Sequence, residues 1–227
     1  MTETSIAHSP NGQTFSVDRT VYVQGNKQKV ERKNITTVTD LDKSIVYTID
    51  RNDRVYSETP LQALIPARPG NMQGATIQLN QTGETRIIAD QACHEYRAVE
   101  GSSLEWVTTS LCVSTDAPGA KEISQFQHRM IRRLDGDRSG KRGGNEPASL
   151  VLEKKSILRF RVPGSSRGQA YRTVSLIVET RVDRIEMKPL PLDTFKPPAG
   201  YGKLHDQPQP VSPDSIEARW WPFSALG

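Results

Sequence analysis

Ile87–Val113, IIADQACHEYRAVEGSSLEWVTTSLCV, is the stretch from which the rest of the chain can be read. Two runs suited to strands, Cys93–Glu100 and Leu104–Val113, flank Gly101-Ser102-Ser103, a strand–turn–strand signature. Both cysteines of the protein lie in it, Cys93 opening the first run and Cys112 closing the second. In a hairpin these two positions face each other, which favours a disulfide. Closing a loop of about 20 residues would contribute roughly 3 kcal/mol in the chain-entropy model. The alternative is a pair of unrelated buried thiols in a reducing compartment.

The segments on either side repeat the same grammar. Phe15, Val17, Val21 and Val23 alternate with polar residues, and Lys27–Val38 reads as a second strand with a polar face. Ile45, Tyr47 and Ile49 form a third, and Val55–Glu58 a fourth after the turn Arg51-Asn52-Asp53. Pro60–Pro66 suits one short helical turn, and Thr76–Leu79 and Thr85–Ala89 suit short strands. Val151–Val162 and Tyr171–Met187 complete the set, the latter with Val174, Leu176, Val178 and Val182 in register at period 2. Turns every 8–12 residues argue for antiparallel hairpins rather than βαβ units. Residues 1–13 are polar and read as a flexible N-terminal arm.

One segment breaks this pattern. Across 117–134, Ile123, Phe126, Met130, Ile131 and Leu134 form a helical stripe. A sheet with one amphipathic helix must bury that stripe on a sheet face. The fold class is therefore mainly β (α+β), an antiparallel sheet with one main helix. Residues 14–204 are expected to form a single β domain. A Pro-rich C-terminal tail, 205–227, follows and carries Trp220-Trp221-Pro222-Phe223. That cluster suits packing back onto the sheet, contact with a partner, or a membrane interface.

Composition narrows the function. Of 227 residues only 35% are hydrophobic, mean hydropathy is −0.58, and no run approaches a membrane span. Net charge is +4 and the pI is near 9.1, but no strand interleaves aromatics with basic residues as a single-strand nucleic-acid platform does. No nucleic-acid partner is expected. The chain shows no GxSxG, no phosphate-cradling glycine loop and no HExxH. His8, His94, His128 and His205 are far apart. Cys93 and His94 are adjacent and so point to opposite strand faces, which argues against a nucleophilic pair. Glu95 and Glu105 face each other only loosely across the hairpin. No catalytic residue and no cofactor is expected, and the reading is that of a non-enzyme.

Asp135-Gly-Asp137-Arg-Ser139-Gly140, followed by Glu146, has the oxygen spacing of a calcium loop with its sharp-turn glycine. Arg142 stands at the usually aliphatic position, Lys141 adds a second positive charge, and Pro147 leads into a strand. A solvated loop is preferred. A calcium site at Asp135, Asp137, Ser139 and Glu146 is the alternative.

Several motifs in order carry a resemblance. Lys43–Leu61, KSIVYTIDRNDRVYSETPL, resembles a β-hairpin of the LolA/LppX-like superfamily of bacterial envelope lipoprotein carriers, specifically a branch classed as a domain of unknown function. In that branch the hairpin precedes Thr-Gly-Glu…Ile-Ala-Gly-x-x-Cys-x-x-Tyr, and Thr82-Gly83-Glu84 through Ile88-Ala89-Asp90-Gln91-Ala92-Cys93-His94-Glu95-Tyr96 is similar to it. Asp90 departs from the pattern's glycine. Glu105-Trp106-Val107 resembles the Trp-containing strand that follows. Phe195-Lys-Pro-Pro198-Ala-Gly200-Tyr201 resembles the Phe-x-x-Pro-x-Gly-Tyr that closes such domains.

The resemblance spans residues 14–204. It implies a curved, incompletely closed sheet, a half-barrel wrapped around the helix, with a concave apolar groove for a lipid, an acyl chain or a lipidated protein. Phe126 and Met130 would contact that ligand. The implied location is periplasmic or secreted, associated with the outer membrane peripherally or through a lipid anchor. No leader or lipid-attachment cysteine opens this chain, so that location rests on the resemblance and the cysteine pair. The alternative function is a structural or interaction module of the envelope, with Trp220–Phe223 as its contact.

Overall fold

The computed structural model describes residues 1–64, 79–101, 105–135, 148–162, 171–191 and 193–204. Among them are twelve strands, one α-helix and one 3-10 turn, so the protein is mainly β. The strands run β1 (Thr2–His8), β2 (Thr14–Gln24), β3 (Lys27–Arg32), β4 (Ile35–Asp40), β5 (Ile45–Asp50), β6 (Val55–Pro60), β7 (Asn80–Ile88), β8 (Gln91–Gly101), β9 (Glu105–Ser114), β10 (Leu150–Val162), β11 (Arg172–Arg184) and β12 (Gly202–Lys203). Helix α1 is Ala120–Asp135, and the 3-10 turn is Leu61–Leu64. No helix among the described residues is long and apolar enough to cross a membrane.

Where one domain was expected, the chain divides into two compact units. The first holds residues 1–20, 69–120 and 149–187; the second holds 21–68, 121–148 and 188–227. Strand β2 passes from one to the other.

In the first unit the antiparallel order is β2 (residues 14–20), β1, β11, β10, β9, β8, β7. Three strands separate β7 from β11, which in a flat sheet would hold them roughly 19 Å apart at ~4.8 Å per step. Their Cα atoms nevertheless approach within 8 Å, so this sheet rolls strongly. The expected flexible arm proves to be an inner strand: β1 pairs with β2 on one side and β11 on the other. Polar residues hide this strand from hydrophobic periodicity, because its side-chain contacts are largely polar. Ser5 and Thr180 hydroxyls lie 3.0 Å apart, Thr4 Oγ1 lies 2.8 Å from Asp183 and 3.0 Å from Asp18, and buried Glu3 bonds Arg19.

The Cys93–Cys112 disulfide joins β8 to β9, with a Cα–Cα distance of 5.4 Å. Cys112 sits opposite Glu95, and Cys93 lies two residues along on the same face. Both cysteines are fully buried. The turn before β8 has Ala89 and Asp90 both at positive φ, 50° and 61°. That is the pattern of a type I′ hairpin turn, and aspartate tolerates the conformation glycine would otherwise supply.

In the second unit residues 21–24 of β2 are followed by β3, β4, β5 and β6, with β12 parallel to β6. The expected strand Lys27–Val38 is two strands, β3 and β4, turning at Lys33-Asn34. Arg51 secures this turn by donating to the carbonyls of Arg32 (3.1 Å) and Lys33 (2.8 Å).

Helix α1 covers one face of this sheet. Phe126 is fully buried among Leu41, Val46 and Leu61, and Met130, Leu134 and Val23 pack against that cluster. Burying one such side chain stabilises by roughly 1.5–3 kcal/mol. Arg129 donates to Asn26 (2.6 Å) and Arg133 to Ser44 (3.0 Å), so two arginines of α1 tether the helix. The segment after β11 covers the opposite face, where Leu190, Phe195 and Tyr201 meet Val38, Tyr47, Ile49 and Tyr56.

Candidate ligand-binding site

The second unit carries an open cleft of about 350 Å³ on the face away from α1. Strand register builds one wall. Tyr47 of β5 sits opposite Val38 of β4 and Glu58 of β6, and Ile49 sits opposite Tyr56. Period-2 alternation therefore puts Tyr47, Tyr56 and Glu58 on one face. The Tyr47 and Tyr56 ring centroids are 6.3 Å apart and tilted by 58°, a favourable diagonal contact.

The segment 193–201 builds the other wall from consecutive turns. Lys196 N bonds Asp193 O at 3.1 Å, and Tyr201 N bonds Pro198 O at 3.3 Å. These turns bury Phe195 and leave Lys196 exposed. The segment is then fastened along β6: Gly202 N bonds Arg54 O (2.9 Å), Leu204 N bonds Tyr56 O (2.8 Å), and Lys203 Nζ bonds Glu58 Oε2 (2.7 Å). Pro197, Pro198 and Tyr201 complete the lining.

Asp40 shapes the cleft's end. Its buried carboxylate accepts the backbone N–H groups of Asp42 (3.1 Å) and Lys43 (3.2 Å) and lies 3.3 Å from Lys27 Nζ. This closes the β4–β5 turn and directs Lys43 towards Tyr47. Lys43 Nζ donates to the Tyr47 hydroxyl at 3.3 Å and lies 5.9 Å from the ring centroid. The hydrogen bond to Tyr47 raises the Lys43 pKa above its usual value, keeping the ammonium charged.

The expected site residues fall elsewhere. Phe126 and Met130 serve the core beneath α1, and neither lines the cleft. An amphipathic stripe fixes which residues a helix buries but not what covers them. Asp137, Ser139 and Glu146, with the tail cluster Trp220–Phe223, lie outside the described residues, and Asp135 ends α1. Among the described residues no group of three His, Cys, Asp or Glu side chains is placed to hold a metal. Cys93 is committed to the disulfide, and His94 points away from it to Thr85, 3.3 Å distant. Glu95 and Glu105 do not face each other: Glu95 opposes Cys112, and Glu105 opposes Phe160 on β10.

The cleft residues were visible in sequence only as two separate motifs, the Tyr47–Pro60 hairpin and Phe195–Tyr201. The shared signal was the presence of aromatic residues and proline in both, with a glycine in the second alone. No protein-family model matches the chain, and no curated protein is significantly similar to it.

Proposed function

We propose that this protein is a non-catalytic binding module of the bacterial envelope that holds a hydrophobic ligand, an acyl chain, in the cleft of its second unit. One observation carries the reading. Tyr47 and Tyr56 meet Phe195, Pro198 and Tyr201, more than 130 positions away in sequence, around a single open cavity. A cleft of this size, in which aromatic and proline residues stand beside the charged side chains Lys27, Asp40, Lys43, Glu58 and Lys196, suits a small amphiphile with a polar head.

The resemblance to LolA/LppX-like carriers belongs to the same proposal, as does a half-barrel wrapped around α1. The disulfide supports an oxidising compartment, in keeping with periplasmic or secreted residence. A lipidated protein would engage the cleft through its acyl group.

Native mass spectrometry of delipidated protein with dodecanoate and with dodecyl maltoside tests the reading. We expect one-to-one adducts and NMR shifts confined to the Tyr47, Tyr56, Phe195 and Tyr201 rings. Absence of any adduct, or shifts that map away from these rings, would overturn it.

A further inference from the structure

We infer that the cleft reads the acidic head of its ligand: a single-chain amphiphile ending in a carboxylate, with Lys43 and Lys196 as the head-group residues. This rests on the acyl-chain reading above and adds the ligand's charge.

Asp40 is buried against Lys27, and Glu58 is bound to Lys203. Each of these acids is therefore held by a lysine. The cleft's remaining cations, Lys43 and Lys196, are both exposed and stand on opposite walls.

Tyr47 adds a neutral donor. Its oxygen accepts the Lys43 ammonium, so its own O–H proton remains to be donated to a ligand oxygen. A carboxylate between the two walls would receive one O–H and up to two ammonium groups. Lysine suits this task as a mobile point charge, with no need for the planar fork that arginine supplies. The chain of the amphiphile would then lie on Phe195, Pro198, Tyr56 and Tyr201. A cationic head would meet two like charges, and a sugar head would accept hydrogen bonds but gain no charge attraction.

The test compares dodecanoate, dodecyl maltoside and dodecyltrimethylammonium, each below its micelle concentration, by isothermal titration. Binding is measured on the full chain and on K43M/K196M. The native protein should prefer dodecanoate to the maltoside by about tenfold, as expected of two solvent-exposed charge contacts. That preference should shrink as salt rises to about 0.5 M. In K43M/K196M the preference should fall close to one while maltoside affinity is retained. Both lysines are exposed, and an unchanged melting temperature checks that the variant folds.

Equal affinity of the native protein for all three amphiphiles, or undiminished dodecanoate preference in the variant, overturns the head-group inference and leaves the acyl-chain reading standing. Binding of none of the three overturns both.

Discussion

Arg86 Nη2 lies 2.6 Å from Glu153 Oε1, although β8 and β9 lie between their strands. The contact follows from the roll of the first unit's sheet and from its register. Glu95, Cys112 and Glu153 occupy one row across β8, β9 and β10, so two carboxylates flank the disulfide on the same face. Arg86 reaches both, with Glu95 at 3.9 Å, and Arg97 adds a 2.9 Å contact to Glu95. Arg86→Met leaves two largely buried acids without their shared cation. In urea titrations we expect a loss of about 2 kcal/mol at neutral pH, the scale of a charged hydrogen bond. The double variant R86M/E153M should recover part of it, because replacing both partners removes the stranded charge.

The disulfide closes a loop spanning a sequence separation of 19. C93A/C112A should lower stability by about 3 kcal/mol on the chain-entropy account. The cysteines belong to the first unit and the cleft to the second, so amphiphile affinity should be unchanged at temperatures where the variant remains folded. Calorimetry with and without dodecanoate separates the two effects.

Ala89 has φ 50° in the turn between β7 and β8. An alanine there carries the left-handed penalty of roughly 1–2 kcal/mol, which glycine avoids. Glycine's greater freedom in the unfolded chain offsets part of the gain. We expect Ala89→Gly to raise stability by about 0.5–1 kcal/mol, read as a higher urea midpoint at constant slope. A lower midpoint would mean that the turn does not hold this conformation in solution.

Glu31 gives a pH signature. Burial pushes its pKa up, but hydrogen bonds from Lys29 and Tyr22, with the charge of Arg51, outweigh burial and hold it below the ordinary 4.5. A carboxyl with a lowered folded-state pKa contributes stability above its unfolded value, and loses it as pH falls through the folded value. Glu31→Gln should therefore destabilise modestly at pH 7, and the difference from the native protein should vanish as pH drops well below 4.5. The effect is small because the pair is partly solvated. Melting temperatures at pH 7, 5 and 3 measure it. A difference that persists at pH 3 would assign the loss to packing instead.

The alternation of Val174 to Val182, the stripe Ile123 to Leu134 and the spacing of turns were enough to place most of β2, β5, β6, β8, β9, β10, β11 and α1. These are local signals: a side chain's face depends on its position within its own element. The same signals failed for β1, whose contacts are polar, and for Lys27–Val38, where a turn at Lys33-Asn34 lacks glycine and proline. The cysteine pairing was legible because both residues lie on one hairpin.

The sequence by itself determined a mainly antiparallel protein with one buried helix face and a two-cysteine hairpin. Tertiary structure decided what each face meets. Phe126 is a core residue because Leu41 of the β4–β5 turn, Val46 of β5 and Leu61 pack against it. Tyr47 and Phe195 share a cleft because the chain returns along β6, Gly202 pairing with Val55 and Lys203 with Tyr56, 147 positions earlier. Periodicity specifies which side of an element is apolar. Which two sides meet is set by the packing of the whole chain, and the cleft exists only after that choice.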